Sequence, residues 1–315
     1  MKNANNWKLV ALFGGLALIF VAVRMFRSPL MEGNMPASLT DIDTAKVSEL
    51  VIVPARQRDV EIRLVKTGKW QLKKGDGNWR LDQGAAEGAL RQLMSVKPKR
   101  MVTKKKSKWR EFSVSDSTGT RVKVFSGSSV VADVWIGRSG FVQSAGQQFT
   151  GESYTFVRMN EEEEVYAVEG FLDGQFNRAF DDWRDKSFMR IKRDSINRIV
   201  FQYPADSSFK LEKRQGKWLM GSMLADSAAV ASFLGGLEYR NLQPGDVTEP
   251  AGAPPIVATF GNDSRVMAKV EAWPGPSQWT LRSSHQPETY FNSAFDAIKD
   301  ILAGNKRFVQ TKKAP

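Results

Sequence analysis

The chain has no cysteine and a single histidine, His285, in 315 residues. Without thiols there can be no disulfide, no thiolate zinc site, no iron–sulfur cluster and no cysteine nucleophile. The acylated cysteine of a bacterial lipoprotein is excluded with them. A Ser-His-Asp triad could form only through His285, and no Gly-x-Ser-x-Gly elbow exists to supply the serine. His285 sits in Ser283-Ser284-His285-Gln286-Pro287, a polar turn that predicts an exposed loop histidine. Neither a Gly-x4-Gly-Lys-Ser/Thr loop nor a Gly-x-Gly-x-x-Gly turn after a strand occurs, so the usual phosphate cradles are missing too. The sequence assigns no catalytic residue, no cofactor and no metal, and it reads as a non-enzyme.

Acids are also in deficit. Lys and Arg number 46 against 34 Asp and Glu, a net charge of +12, which makes anionic surfaces the natural partners. Part of the excess is concentrated in Lys97, Lys99, Arg100, Lys104, Lys105, Lys106, Lys108 and Arg110, with no acid between them. Trp109 is the one aromatic of that run, so the repeated stacking platform of a single-strand binder is lacking and nucleic acid is disfavoured. The run follows an amphipathic helix and precedes a strand, where a solvated connection is common. Contact with anionic lipid, an anionic polymer or an acidic protein is the functional alternative. Glu161 to Glu164 fall between two strand-like runs and read as a solvated hairpin connection. Asp181, Asp182 and Asp185 surround Trp183 on a predicted helix, with Asp182 and Lys186 spaced for an i,i+4 pair. That segment lacks the oxygen-rich loop and bend glycine of a calcium site.

What is present begins with an apolar run. Leu9 to Val23 carries no charge, and Trp7 and Phe26 extend it to about 20 residues, roughly 30 Å as a helix and enough to cross a bilayer. Lys8 and Arg24 flank it and Trp7 suits the head-group belt. No small-x-small cleavage site follows in Arg24-Met25-Phe26-Arg27, so an uncleaved single-pass anchor is expected over residues 1–27. Gly14-Gly15 is read as ordinary membrane-helix glycine. The short N-terminal tail favours an N-in orientation, placing the bulk of the chain outside the cytoplasm, although the Lys/Arg margin across the segment is about one charge. Residues 28–45 are Pro-, Ser- and Met-containing and read as a stalk.

Beyond the stalk one pattern occurs twice. Val47 to Val53 predicts a strand, and Val60 to Val65 a second in which Ile62 and Leu64 alternate with charge. Gly77-Asn78-Trp79-Arg80-Leu81 feeds a short strand, and Ala86, Ala89, Leu90 and Leu93 give a helix over Ala85 to Met94. The second series is Ser195 to Phe201, Phe209 to Glu212, Gly216-Lys217-Trp218-Leu219, and a helix capped by Asp226 with Val230, Phe233, Leu234 and Leu237 on its apolar face. Gly235-Gly236, in that helix or near its end, predicts a packing role. Val122–Phe125 with Val130–Ile136 corresponds to Val257–Phe260 with Val266–Val270, and later strands also match. Each series closes on a predicted helix, near Gly170–Phe180 and Ser293–Leu302. Trp79 and Trp218, and with them Trp183, read as structural anchors, with an exposed stacking surface as the alternative for the first two.

This order resembles a bacterial family, domain of unknown function 4340. The residues that carry the resemblance are Gly77 and Trp79, Trp183-Arg184-Asp185-Lys186, and Gly216, Trp218 and Asp226. One departure is that the first series has Gln83-Gly84 where the second has Ala225-Asp226, which predicts a weaker helix start. The resemblance implies one N-terminal membrane helix, a mainly extracytoplasmic remainder and an accessory role beside ABC-transporter components of the gliding-motility type. It supplies no catalytic residues. The resulting expectation is an α+β protein: an N-terminal transmembrane helix, then two tandem, diverged modules of mainly antiparallel strands at 46–192 and 193–308, and a basic tail at 309–315. Its expected place is the bacterial inner membrane, facing the periplasm, as an interaction or scaffold subunit. The alternative is an envelope-polymer-binding or hydrolytic protein that engages an anionic substrate through residues 97–110.

Overall fold

The computed structural model of the chain describes residues 13–17, 35–94, 96–142, 152–246 and 249–310. Most of the expected anchor, much of the stalk and the tail beyond residue 310 lie outside the described residues. Residues 13–17 are helical, and among the described residues no helix is long and apolar enough to cross a membrane.

The chain divides into two compact units, one ending at Trp183 and one beginning at Arg184. The first unit contains β1 (Glu49–Val53), β2 (Ile62–Thr67), β3 (Lys69–Lys74), β4 (Gly77–Arg80), α1 (Gln83–Met94), β5 (Pro98–Thr103), β6 (Thr120–Ser126), β7 (Ser129–Val142), β8 (Glu152–Met159), β9 (Val165–Glu169) and α2 (Leu172–Phe176). The second contains β10 (Ser187–Arg190), β11 (Arg198–Gln202), β12 (Phe209–Arg214), β13 (Lys217–Met220), β14 (Met223–Leu224), α3 (Ser227–Leu237), β15 (Tyr239–Asn241), β16 (Gln243–Pro244), β17 (Ile256–Gly261), β18 (Val266–Pro274), β19 (Trp279–Ser283), β20 (Gln286–Ser293) and α4 (Phe295–Ile298). Residues 184–192, placed with the first module on sequence, belong to the second because β10 pairs with β15.

Each unit is built on a nine-stranded antiparallel sheet, ordered β4-β3-β2-β1-β6-β7-β8-β9-β5 in the first and β14-β13-β12-β11-β17-β18-β19-β20-β16 in the second. The orders coincide strand for strand. Period-2 alternation sets the buried face: Ile62 and Leu64 are fully buried while Arg63 between them is exposed. The helix that follows the fourth strand packs its apolar stripe on that face, Ala86, Ala89, Leu90 and Leu93 in α1 and Val230, Phe233, Leu234 and Leu237 in α3. In the second unit an aromatic knot surrounds Phe201, whose ring stacks on Phe209 at 4.7 Å and lies 5.9 Å from Phe233.

The strand order corrects the sequence match of Trp79 with Trp218. Trp218 is on the third strand of its sheet, so its counterpart is Trp70 on β3, within Gly68-Lys69-Trp70 against Gly216-Lys217-Trp218. Gly68 and Gly216 share φ values of +83° and +80°, a turn conformation that side chains with a Cβ rarely adopt. Both indoles are 5% exposed. Gly77 has another reason to be glycine: a Cβ there would overlap the Trp79 ring, which lies back over its own strand. Trp79 itself is half-buried and meets Phe180 edge-on at 5.0 Å.

The helix starts correspond as well: an aspartate caps each, the first with one side-chain bond against two in the second. Asp82 takes the place of Asp226. Its carboxylate accepts from Ala85 N at 3.2 Å, and that of Asp226 accepts from Ala228 N and Ala229 N at 2.9 and 3.0 Å. The backbone N–H of each aspartate donates to a fully buried aromatic residue near the end of its unit, Asp82 to Trp183 O at 2.9 Å and Asp226 to Phe308 O at 2.8 Å. The Trp183 indole N–H is buried with no acceptor among the described residues. The helix expected around Trp183 is only a 3₁₀ turn, Phe180–Asp182, so the helical spacing assumed for Asp182 and Lys186 is not there. Gly235 and Gly236 lie inside α3 but face open space, which removes the packing role expected for them.

Two outcomes follow for stability. Asp226→Ala removes a cap hydrogen-bonded to two backbone amides and costs about 1 kcal/mol in urea unfolding, and Asp82→Ala shows a loss of the same sign. The Tyr203 hydroxyl donates to Ala303 O at 3.0 Å, and burial pushes its pKa up to about 12. The unfolded phenol ionises near about 10. Its contribution is therefore intact below that pH and falls away as pH rises toward the folded value. Alkaline melting curves of Tyr203→Phe should lose stability less steeply across that window than the parent.

Candidate functional site: a basic cap on the first unit

The basic run does not form a solvated linker. Its first part is β5, the edge strand paired with β9, and the rest folds over the outer face of the sheet through the 3₁₀ turn Lys106–Lys108. Side chains that alternate away from the main core receive it there. Trp109, Phe112 and Val114 from the cap pack with Trp135 of β7, Phe156 of β8 and Val165 and Ala167 of β9 as a separate apolar cluster. Val165 to Val168 are consequently buried on both faces, which explains why that strand reads as a continuous apolar run.

Arg158 locks the cap in place. It is 1% exposed, and its guanidinium carbon stands 3.7 Å from the Trp109 ring centroid and 5.6 Å from that of Trp135. Nε donates to Val114 O at 3.2 Å, and Nη1 donates to the carbonyls of Met159, Asn160 and Glu162 at 3.2, 3.0 and 3.3 Å. Nη2 reaches Asp116 at 3.4 Å. Burial lowers the Arg158 pKa from its ordinary value, but a guanidinium stays charged in proteins. The Trp109 indole adds a bond to Glu163 O at 3.1 Å, so the acidic turn Glu161 to Glu164 closes the β8–β9 hairpin and also holds the cap.

All eight predicted basic residues, Lys97, Lys99, Arg100, Lys104, Lys105, Lys106, Lys108 and Arg110, are exposed. Four have partners. Lys99 bonds Glu152 and lies 3.7 Å from Glu169, Lys104 meets Glu164 at 3.3 Å, Lys108 meets Glu111 at 3.3 Å, and Lys106 sits 5.2 Å over the Trp109 ring. The hydrogen bond to Glu152 raises the Lys99 pKa and lowers that of the carboxylate. Lys97, Arg100, Lys105 and Arg110 have no acidic partner among the described residues. The site is thus an apolar-backed cap carrying Lys105 and Arg110 that continues from an edge strand flanked by Lys97 and carrying Arg100. Sequence reasoning found the cations but missed Arg158, for which the only signal is an arginine inside the apolar stretch Tyr154 to Met159.

The predicted anchors Trp183 and Trp218 are core residues of their own units, and Trp79 packs at the margin of the first. His285 is half-buried at the β19–β20 turn instead of exposed, with Nε2 3.4 Å from Ser187 Oγ. That hydroxyl is buried, donates to Asp185 and accepts from Gln286 Nε2 at 3.1 Å. Among the described residues no group of three or more His, Asp or Glu could hold a metal ion.

Fold and surface together define a sheet-rich α+β protein of two units with a basic cap on one of them. It belongs to the family described as Domain of unknown function (DUF4340), whose pattern matches residues 70–252. The match begins at Trp70 on β3 and ends at Gly252, between β16 and β17, so it spans parts of both units. No curated protein and no solved structure matches the chain.

Arg158→Ala should cost on the order of 3 kcal/mol, because four carbonyls and two indole faces lose one buried charge. Hydrogen exchange should rise selectively across residues 105–118. Arg158→Lys keeps the charge without the planar stack and should restore only part of the protection.

Proposed function

We propose that this protein is a non-enzymatic, membrane-tethered interaction subunit, accessory to an ABC-type transport or cell-envelope assembly of the bacterial inner membrane. The supporting observation is the basic run, in which Lys105 and Arg110 stand on the cap held by Arg158, Lys97 and Arg100 stand at the neighbouring edge strand β5, and none of the four meets an acid among the described residues. A fixed cationic surface suits an acidic protein face, since no ordering of it is required at the moment of binding. Tethering raises the local concentration of such a surface at the bilayer. The apolar run Leu9 to Val23 is read as the tether, with the two units outside the cytoplasm. The shared strand order of the units is read as a tandem duplication in which one member keeps the cap. The link to ABC-transporter components comes from the family resemblance.

A second reading draws on the same four cations: they suit an anionic envelope polymer equally well. Three acids nearest the run, Glu111, Glu152 and Glu164, are engaged with lysines, which favours binding over hydrolysis.

Affinity purification of the tagged full chain from membranes in mild detergent separates the readings. The subunit reading predicts co-purification of integral membrane proteins, lost in a Lys97→Ser/Arg100→Ser/Lys105→Ser/Arg110→Ser variant that still folds. Recovery of the chain as a lone monomer counts against it. Retention on anionic polymer with no protein partner favours the second reading.

A further inference from the structure

The first unit carries a groove of about 490 Å³ between the Gly68 turn and helix α1. Trp70, Leu90 and Met94 give it apolar surface, and Lys66, Lys69 and Arg91 supply cations. Glu87 is the one acid lining it, and it faces Arg91 at 3.7 Å. The wall is preformed. Gln83 accepts from Trp70 N at 2.9 Å and donates to Trp70 O at 2.7 Å, which fixes β3 against the first turn of the helix. Lys66 leans over the Trp70 ring at 5.8 Å, and Met94 is 46% exposed despite its apolar side chain.

The second unit provides an internal control. Aligned on the capping aspartates Asp82 and Asp226, the core residues correspond: Ala86 with Val230, Ala89 with Phe233, Leu90 with Leu234 and Leu93 with Leu237. Of the groove residues, Lys69 and Trp70 match Lys217 and Trp218, and Lys66, opposite Trp70, matches Lys213, opposite Trp218; the difference lies on the helix. Arg91 corresponds to Gly235, and Met94 to Glu238, whose carboxylate accepts from Arg193 N at 3.4 Å. The shared sheet order therefore stands without a cation or a methionine at these places, and their presence in the first unit calls for another explanation.

We propose that this groove binds an anionic phospholipid, its phosphate held by Lys66, Lys69 and Arg91 and the start of its acyl chain lying along Trp70 and Met94. Cations beside the exposed Met94 side chain, backed by Trp70 and Leu90 that are each only 5% exposed, complement an anionic head on the start of an apolar tail, and the volume is that of a small-ligand site. The choice of lipid over an acidic peptide rests on the tether reading above. Leu39 N donates to Val96 O at 2.8 Å and Ile42 N to Met94 O at 3.2 Å, so the incoming chain docks beside the groove. Residues 28–37, between the expected anchor and that docked segment, can span at most about 35 Å. The groove is thereby held within reach of the head groups.

The absence of cysteine makes the test direct. Met94→Cys in the full chain is labelled with a polarity-sensitive fluorophore in mild nonionic detergent. It is then titrated with dihexanoyl phosphatidylglycerol, dihexanoyl phosphatidylcholine, inorganic phosphate and a Glu/Leu peptide. A saturable blue shift is expected with phosphatidylglycerol alone, weakened about tenfold or more by Lys69→Ser/Arg91→Ser. A label at Glu238→Cys should not respond. Equal response to both lipids, no change in the double variant, or saturation by phosphate or peptide without phosphatidylglycerol overturns the assignment. Thr44→Cys serves as a second reporter should Met94→Cys fail to fold. Flotation of the full chain with phosphatidylcholine vesicles reports on the tether independently, because the titration in detergent does not need it.

Discussion

Each unit is closed by a clasp made from the same two parts. An aspartate caps the helix with its carboxylate, while its own backbone N–H bonds the carbonyl of a fully buried aromatic residue, Trp183 or Phe308, from the end of the unit. The side-chain bonds fix where the helix starts, and the backbone bond fixes the aromatic under it. That in turn sets the seat of Ala86 to Leu93 and of Val230 to Leu237 on their sheets. Net folding stability is small against the opposing terms that compose it, so one capped and clasped helix is a large fraction of what holds a unit together.

The parts of the fold legible in the sequence were those with a clear period. The amphipathic helices, the alternating strand Ile62 to Leu64 and the paired hairpins are all where periodicity places them. The terminal helices are shorter than expected, Leu172–Phe176 and Phe295–Ile298, because the expected helices included residues that lie in loops and 3₁₀ turns. Strand β3 carries no signal separate from its neighbours in the sequence, and the letters alone pair the Trp of the second unit with Trp79 instead of Trp70. Two different constraints had written the same Gly-x-Trp letters. At Gly68 and Gly216 glycine answers a left-handed turn, whereas at Gly77 it answers an indole lying over the strand. A pattern of letters does not record which constraint produced it, but the strand order does.

The basic run shows the reverse case. Its charge was plain in the sequence, while its shape was not, since the residues that fold it, Arg158, Trp135 and Phe156, lie well downstream. Charge alone suggested a solvated connection. An arginine between two indoles turns that connection into a fixed surface, and it does so with a residue that composition would count among the solvated cations. The groove beside Trp70 is hidden in the sequence for a related reason: Lys66 and Trp70 come from a hairpin and Arg91 and Met94 from the following helix, and no single period links the two pairs.

The place of Trp183 has a consequence for how the chain comes into being. It is the last residue of the first unit, yet it is fully buried in that unit's core and receives the Asp82 N–H. A nascent chain that stops short of it holds every strand of the first sheet but cannot shut. Completion of the first unit is therefore timed by delivery of residue 183, and until then an open sheet and an unclasped helix are what a chaperone would meet.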